Sequence, residues 1–349
     1  MALVAQSPLV IRSLDAANRS RWDAFVRACP EATFFHLSAW QTLIEREQGH
    51  RCYFLYAERA GEIVAVLPLA EVKSLLFGHS MASLPFCVYG GIAASDPEAV
   101  PLLEAEAERL ARECGVAHLE YRNISPRHAD WPGQPLYVTF RKTIEADEQA
   151  NLAAIPRKQR AMVRKGIKAG LLARQDDDVS RFFPVYADNV RRHGTPALAR
   201  RWFEALRQAF GNDCEVLTVE DASGRPLSSV LSFFFRDEIL PYYAGDLPAA
   251  RELAANDFKY WSLMKRAQER GCTVFDYGRS KLGTGPYAFK KNWGFEPTPL
   301  AYEYRLFARD SVPQNNPNNP KFRALIEVWR RLPLPLVNRV GPLIVRNLG

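Results

Sequence analysis

Two stretches gather side chains that could do chemistry. The first, Ile155–Gly170, carries Arg157, Lys158, Arg160, Arg164, Lys165 and Lys168 and no acid. At 100° per residue of helix, Arg157, Arg160, Arg164 and Lys168 fall within an arc of about 80°. Four cations on one helix face repel one another, so the pattern calls for an anion. The forked donors of arginine suit a phosphate. A solvated face served by Asp176, Asp177 and Asp178 is the plainer alternative. The second stretch is Phe275–Pro297. A strand ends in Asp276 and Tyr277; Arg279 and a loop with Gly278, Gly283, Gly285 and Pro286 follow; then come Tyr287, Phe289, Lys290, Lys291 and Trp293. Glycines let a backbone approach a ligand closely. A lysine beside an aromatic ring can be fixed by cation–π contact, and a fixed cation can stabilise a developing oxyanion. The plainer alternative is a structural loop with surface lysines.

A third stretch, Phe322–Leu348, interleaves apolar residues with Arg323, Arg330, Arg331, Arg339 and Arg346. Such a tail can lie on an anionic membrane face or dock on the protein body. Pro333, Pro335 and Pro342 argue against one long helix. Other signatures are missing. Thr284 follows Gly283 where a P-loop needs Lys, and neither a dinucleotide-binding glycine motif nor a nucleophile elbow is present. Lys168 stands where an acetyl-CoA loop built on Gly166 would carry a small residue. The histidines and the six cysteines are scattered, which predicts reduced thiols and no metal site.

These segments need a scaffold. A chain of 349 residues allows about two domains. The net charge is +7, yet 151–175 alone carries +7 and 311–349 carries +5, leaving −5 on the rest. The excess is therefore local and points to an anionic partner. Apolar patterning predicts strands at 9–14, 52–58, 62–72, 116–122, 136–144, 214–220, 227–235, 238–244, 273–277 and 300–307. It predicts helices at 19–28, after Ser38 as N-cap, and at 97–114, 156–170, 179–192, 198–210, 256–270 and 321–331. The class is α/β with mixed sheets. The helix–Gly–strand run 110–122, ending in Glu120-Tyr121-Arg122, is echoed at 267–279, ending in Asp276-Tyr277-Gly278-Arg279, as in a duplicated α/β unit. The expected domains are 1–150, 151–310, and a linker with basic tail at 311–349.

Ile155–Leu171, Phe275–Ser280, Tyr287–Pro297, Leu332–Ile344 and the early Thr33–Trp40 together resemble the Fem-type (FemAB-like) group of the GNAT acyltransferase superfamily. Within it they resemble the branch associated with exosortase/PEP-CTERM and exopolysaccharide systems. The resemblance implies two tandem GNAT-like domains and a metal-free transfer of an acyl or aminoacyl group to an amine. It implies that Lys290, beside Phe289, aids the transfer. Tyr287 is then a candidate proton donor to the leaving group, and Asp276 or Asp246 a candidate base for the amine. Arg157, Arg160, Arg164, Lys168, Arg279, Gly283 and Gly285 are the candidate substrate contacts. No cofactor is expected to be tightly bound; the donor is aminoacyl-tRNA or acyl-CoA. The sequence lacks the coiled-coil arm that tRNA-using relatives often carry. The expected acceptor is a phosphate-bearing or lipid-linked envelope or exopolysaccharide intermediate. The expected location is the cytoplasm, with the tail a candidate for peripheral contact with the inner membrane. A CoA-dependent N-acetyltransferase and a non-enzymatic adaptor for anionic polysaccharide or lipid stay open.

Overall fold

The computed structural model describes residues 7–74, 78–313 and 320–347, with side chains of the last stretch from 326. The chain opens with β1 (Leu9–Ser13), α1 (Arg19–Ala28) and α2 (Ala39–Leu43). Ser38 is the N-cap residue of α2, but its hydroxyl donates to Asp23 Oδ2 at 2.8 Å rather than capping the helix. The hairpin β2 (Cys52–Arg59) and β3 (Glu62–Ser74) turns at Ala60 and Gly61, both left-handed at φ 52° and 85°. Then follow β4 (Gly78–Ser83), β5 (Ala93–Ala94), α3 (Ala99–Cys114) and β6 (His118–Asn123).

At this point the chain changes sheets. The next strand, β7 (Tyr137–Thr143), pairs in a second sheet. It is followed by α4 (Glu148–Ala154), α5 (Arg157–Lys168), β8 (Leu172–Asp176), α6 (Phe182–Arg192) and α7 (Arg200–Phe210). Next come β9 (Cys214–Glu220), β10 (Pro226–Phe235), β11 (Glu238–Asp246), α8 (Ala255–Glu269), β12 (Val274–Asp276), β13 (Ser280–Lys281), α9 (Gly285–Asn292) and β14 (Pro297–Pro299). The strand β15 (Ala301–Leu306) returns to pair with β6, and α10 (Pro320–Arg331) and α11 (Leu334–Val345) close the chain.

The first sheet runs β1-β2-β3-β4-β6-β15 and the second β13-β7-β12-β11-β10-β9-β8. The compact units are accordingly Met1–Pro135 with Pro299–Pro313, and Leu136–Thr298 with Gln314–Arg346. This differs from a cut at 150: β7 and α4 belong to the second unit and β15 to the first, because strand pairing here is non-local. Each sheet places one parallel pair (β4 with β6, β11 with β12) beside an antiparallel neighbour, β15 in one and β7 in the other. The sequence echo is thus a topological one. Its helix ends match in detail: the amide of Val116 closes on Ala111 O at 3.1 Å across Gly115, and that of Cys272 on Ala267 O at 2.8 Å across Gly271. Both glycines are left-handed, as this cap requires. The fold is α/β, two mixed sheets in two units with a helical C-terminal end.

In the second unit, Phe182, Tyr186, Phe203 and Tyr243 form an aromatic cluster between α6, α7 and β11. Each ring that is fully removed from water there contributes about 2–3 kcal/mol. Gly245 lets α6 press on β11, since a Cβ there would lie 2.7 Å from Tyr186 Cα. A separate core gathers Val163 of α5, Val230 and Phe234 of β10, Leu263 and Met264 of α8, and Trp293. The tail forms two helices, broken at Pro333, with Pro342 accommodated inside α11. Most of the expected linker, 314–319, lies outside the described residues, as does the Arg323 side chain.

Candidate active site

The basic run forms α5 as expected, and its inward face is Val163 and Gly166. Gly166 is a helix-interior residue whose missing side chain admits Phe258 of α8; a Cβ would lie 2.8 Å from that ring's Cβ. The segment is not a loop, so Lys168 beside it says nothing for or against CoA. Of the four predicted cations, Arg157, Arg164 and Lys168 are exposed. Arg160 is not presented with them: its guanidinium turns back to Ala153 O at 3.0 Å and Ile155 O at 3.1 Å, closing the end of α4. No carboxylate pairs with Arg157, Arg164 or Lys168 among the described residues.

Lys290 projects from α9 and is buried. Its Nζ donates to Tyr277 O at 2.7 Å, Gly278 O at 2.9 Å and Arg279 O at 3.2 Å. The Phe140 and Tyr277 rings lie 5.5 and 5.8 Å away. All three ammonium protons are therefore engaged by one turn of backbone. Burial pulls this amine down to about 7, against the pull of Asp276. Asp276 itself is fully buried, accepting from the Gly278 amide at 2.7 Å and from Arg141 at 3.4 Å. Arg141 also reaches Glu238, whose carboxyl burial raises.

The remaining predicted residues are spread around this turn. Phe289 packs on Tyr260 (5.5 Å) and Trp293 (6.0 Å). Tyr287 rests on Phe140 at 5.5 Å. Arg279 stacks over the Tyr137 ring at 4.4 Å; Lys281 shares that ring, and burial lowers it to about 8. Gly283 is left-handed (φ 73°), whereas Gly285 opens α9 just ahead of Pro286. A Cβ at either position would meet nothing within 4 Å, so the described residues make no close approach there.

Asp246 lies at the far end of β11. Its Oδ1 accepts from Lys259 Nζ at 3.1 Å and from the Ser228 hydroxyl, and Arg192 donates to its backbone carbonyl. Lys259 is wholly buried under Tyr260, with Nζ 4.9 Å from the ring centroid. Burial lowers this amine and Asp246 pulls it back up. Nearby, Asp257 accepts from Trp293 Nε1 at 2.9 Å, and burial lifts its carboxyl above the usual range. Lys259, Asp257 and Tyr260 escaped the sequence reading because Asn256–Trp261 looks like any amphipathic helix start. Tyr277 stands out in the sequence at the end of the strand that opens Phe275–Pro297 and through the acid–Tyr echo. Among the described residues its hydroxyl is buried with no partner, as is that of its counterpart Tyr121, and the Ser280 hydroxyl is likewise orphaned.

The strands open a gap between these groups. Beyond their start, β11 and β12 separate: they pair only at Glu238–Val274 and Ile239–Phe275, while β11 stays paired with β10 to Asp246. Among the described residues, one edge of β11 past Ile239 is thus left without a strand partner, bordered on the β12 side by the Lys290-bound turn. Asp246 stands at its end, one-third exposed. The chain then enters α8, whose first turn carries Phe258 against the basic helix α5. Among the described residues, no cluster of three or more His, Cys, Asp or Glu could hold a metal ion.

Comparison with known proteins bears on the fold and the reaction class. Residues 152–291 match the acetyltransferase (GNAT) domain model. No curated protein sequence matches. Among solved structures, FemX superposes with a TM-score of 0.66 at 16% identity, covering 86% of this chain and 98% of FemX. L-PGS from Bacillus licheniformis gives 0.57 at 13% identity, with 94% and 98% covered. A tandem GNAT protein from the clavulanic acid biosynthesis pathway gives 0.53 at 13%, with 87% and 100% covered. At such identities these likenesses establish the fold. The acetyltransferase domain match gives the reaction class, acyl transfer.

Proposed function

We propose that this chain transfers an acyl or aminoacyl group to the amine of a phosphate-bearing or lipid-linked cell-envelope or exopolysaccharide intermediate. The reaction takes place in the cytoplasm, within the exosortase/PEP-CTERM-associated branch. The observation that carries the reading is the parting of β11 and β12, with Asp246 and the Lys290-bound turn on its two sides. The unpaired edge of β11 offers backbone groups to an extended, amide-bearing donor. Arg157, Arg164 and Lys168, on the helix packed against the first turn of α8, receive its phosphates or those of the acceptor.

The amine attacks the donor's acyl carbonyl, and the ester or thioester bond breaks as the tetrahedral intermediate collapses. Of the two candidate bases, Asp246 has an exposed carboxylate and Asp276 has none, so Asp246 takes the amine proton. Lys290 fixes the 277–279 turn and, in its protonated form, sets a positive charge behind the developing oxyanion. Tyr287, half-buried on Phe140, supplies the proton to the leaving group. Arg279, Gly283 and Gly285 line the approach to that turn.

The test offers labelled acetyl-CoA and labelled aminoacyl-tRNA separately, each with an amino-sugar nucleotide. The expected result is label on the acceptor amine with one donor and not the other. Salt-sensitive binding of anionic polysaccharide with no label moved from either donor would identify an adaptor instead.

A further inference from the structure

The tail settles one question and raises another. Its inner side docks on the second unit. Val337 and Gly341 of α11 are buried, and a Cβ at Gly341 would lie 3.0 Å from the Ala197 backbone. Arg191 of α6 donates to Arg330 O at 2.8 Å, and Ile326 fills the space beside Gly194. With the inner side held, the outer side of α11 is fixed in direction. It presents Leu336, Arg339, Leu343 and Arg346, spaced three, four and three residues apart on one face and all exposed. Leu336 is 45% and Leu343 61% exposed. The helix contains no acid, and Glu327 of α10 is paired with Arg330. No described helix is long and apolar enough to cross a membrane.

We infer that the outer face of α11 is an interfacial contact for an anionic phospholipid surface. The two leucines lie about 10 Å apart along the helix. Leucines and guanidinium groups alternate on one side, so apolar groups can enter the acyl boundary while the arginines stay at phosphate level. Charge selects the occupant. A neutral apolar partner gains nothing from Arg339, and a bilayer rich in anionic headgroups gains from it. This inference does not rest on the proposed reaction, and its test does not measure turnover.

The full-length protein is sedimented with vesicles of phosphatidylglycerol and phosphatidylcholine, and with phosphatidylcholine alone. The expected result is binding to the anionic vesicles only, weakening as salt rises. Leu336→Glu/Leu343→Glu and Arg339→Glu should each lower the partition coefficient at least about tenfold with an unchanged melting temperature, since all three side chains are exposed. Equal binding to both vesicle types, or variants that bind as the wild type does, would overturn the inference. So would a wild-type dimer that the double leucine variant makes monomeric, because a second copy would then be the occupant.

Discussion

Asp246→Asn is expected to be among the most damaging single changes in the second unit, costing about 3–5 kcal/mol. The reason is an asymmetry within the pair. Lys259 has no exposed side-chain surface, whereas Asp246 is 32% exposed. Removing the carboxylate strands a cation in the interior beside the Tyr260 ring, with Asp257 as an acidic neighbour that still favours its charge. Removing the lysine leaves an aspartate that water can reach and that still accepts from Ser228. Lys259→Met, which keeps most of the buried volume, is therefore expected to cost less than about 2 kcal/mol. The double variant should be more stable than Asp246→Asn alone. Urea unfolding of the four proteins checks this as a thermodynamic cycle. Equal costs for the two single variants would show that the pair is not held as described. In a working transfer assay, Asp246→Asn should also lose at least about a hundredfold in rate, the size of a general-base contribution.

The second large effect concerns Lys290. Lys290→Met leaves three backbone carbonyls, at 277, 278 and 279, without their donor. Each buried acceptor left unpaired costs about 1–3 kcal/mol, partly offset because the ammonium no longer has to be desolvated. A net loss of about 2–4 kcal/mol near neutral pH is expected, together with loss of transfer activity as the turn relaxes. The pH dependence identifies the group. The folded amine titrates at about 7 against 10.5 for the free side chain. Between those values the unfolded chain carries a proton that the folded chain has released. Wild-type stability should thus rise with pH across that window by up to about 1.4 kcal/mol per unit, and flatten below 7. The Lys290→Met protein should lack this slope. Unfolding curves collected from pH 6 to 10 on both proteins would show it, and parallel profiles would mean that Lys290 keeps its proton throughout.

What could be read in advance follows from the range of the interactions. The hairpin at Ala60-Gly61 and the glycine-capped ends at Gly115 and Gly271 are local, and the sequence locates them within a residue or two. The edge strand Leu172–Asp176 is not legible. Its residues are mostly exposed on both faces, so no apolar alternation marks it. Nor is the sheet to which β7 and β15 belong, because an apolar strand carries no label for a distant partner. The site divides in the same way. Lys290 and the basic helix stand out by composition. The turning back of Arg160 onto Ile155 depends on where α4 ends, and the burial of Lys259 depends on Tyr260 and the end of β11. A lysine in the first turns of an amphipathic helix reads as a surface residue until the strand it faces is placed.

The proposed place of acyl transfer is the second unit, along the edge of β11 that β12 leaves open. Amide hydrogen exchange in the presence and absence of the donor that supports turnover tests it most directly. Protection is expected at residues 240–246 and at the 277–280 turn, with β4 and β6 of the first unit unchanged. Protection of the first unit alone, with 240–246 exchanging as freely as before, would contradict the assignment.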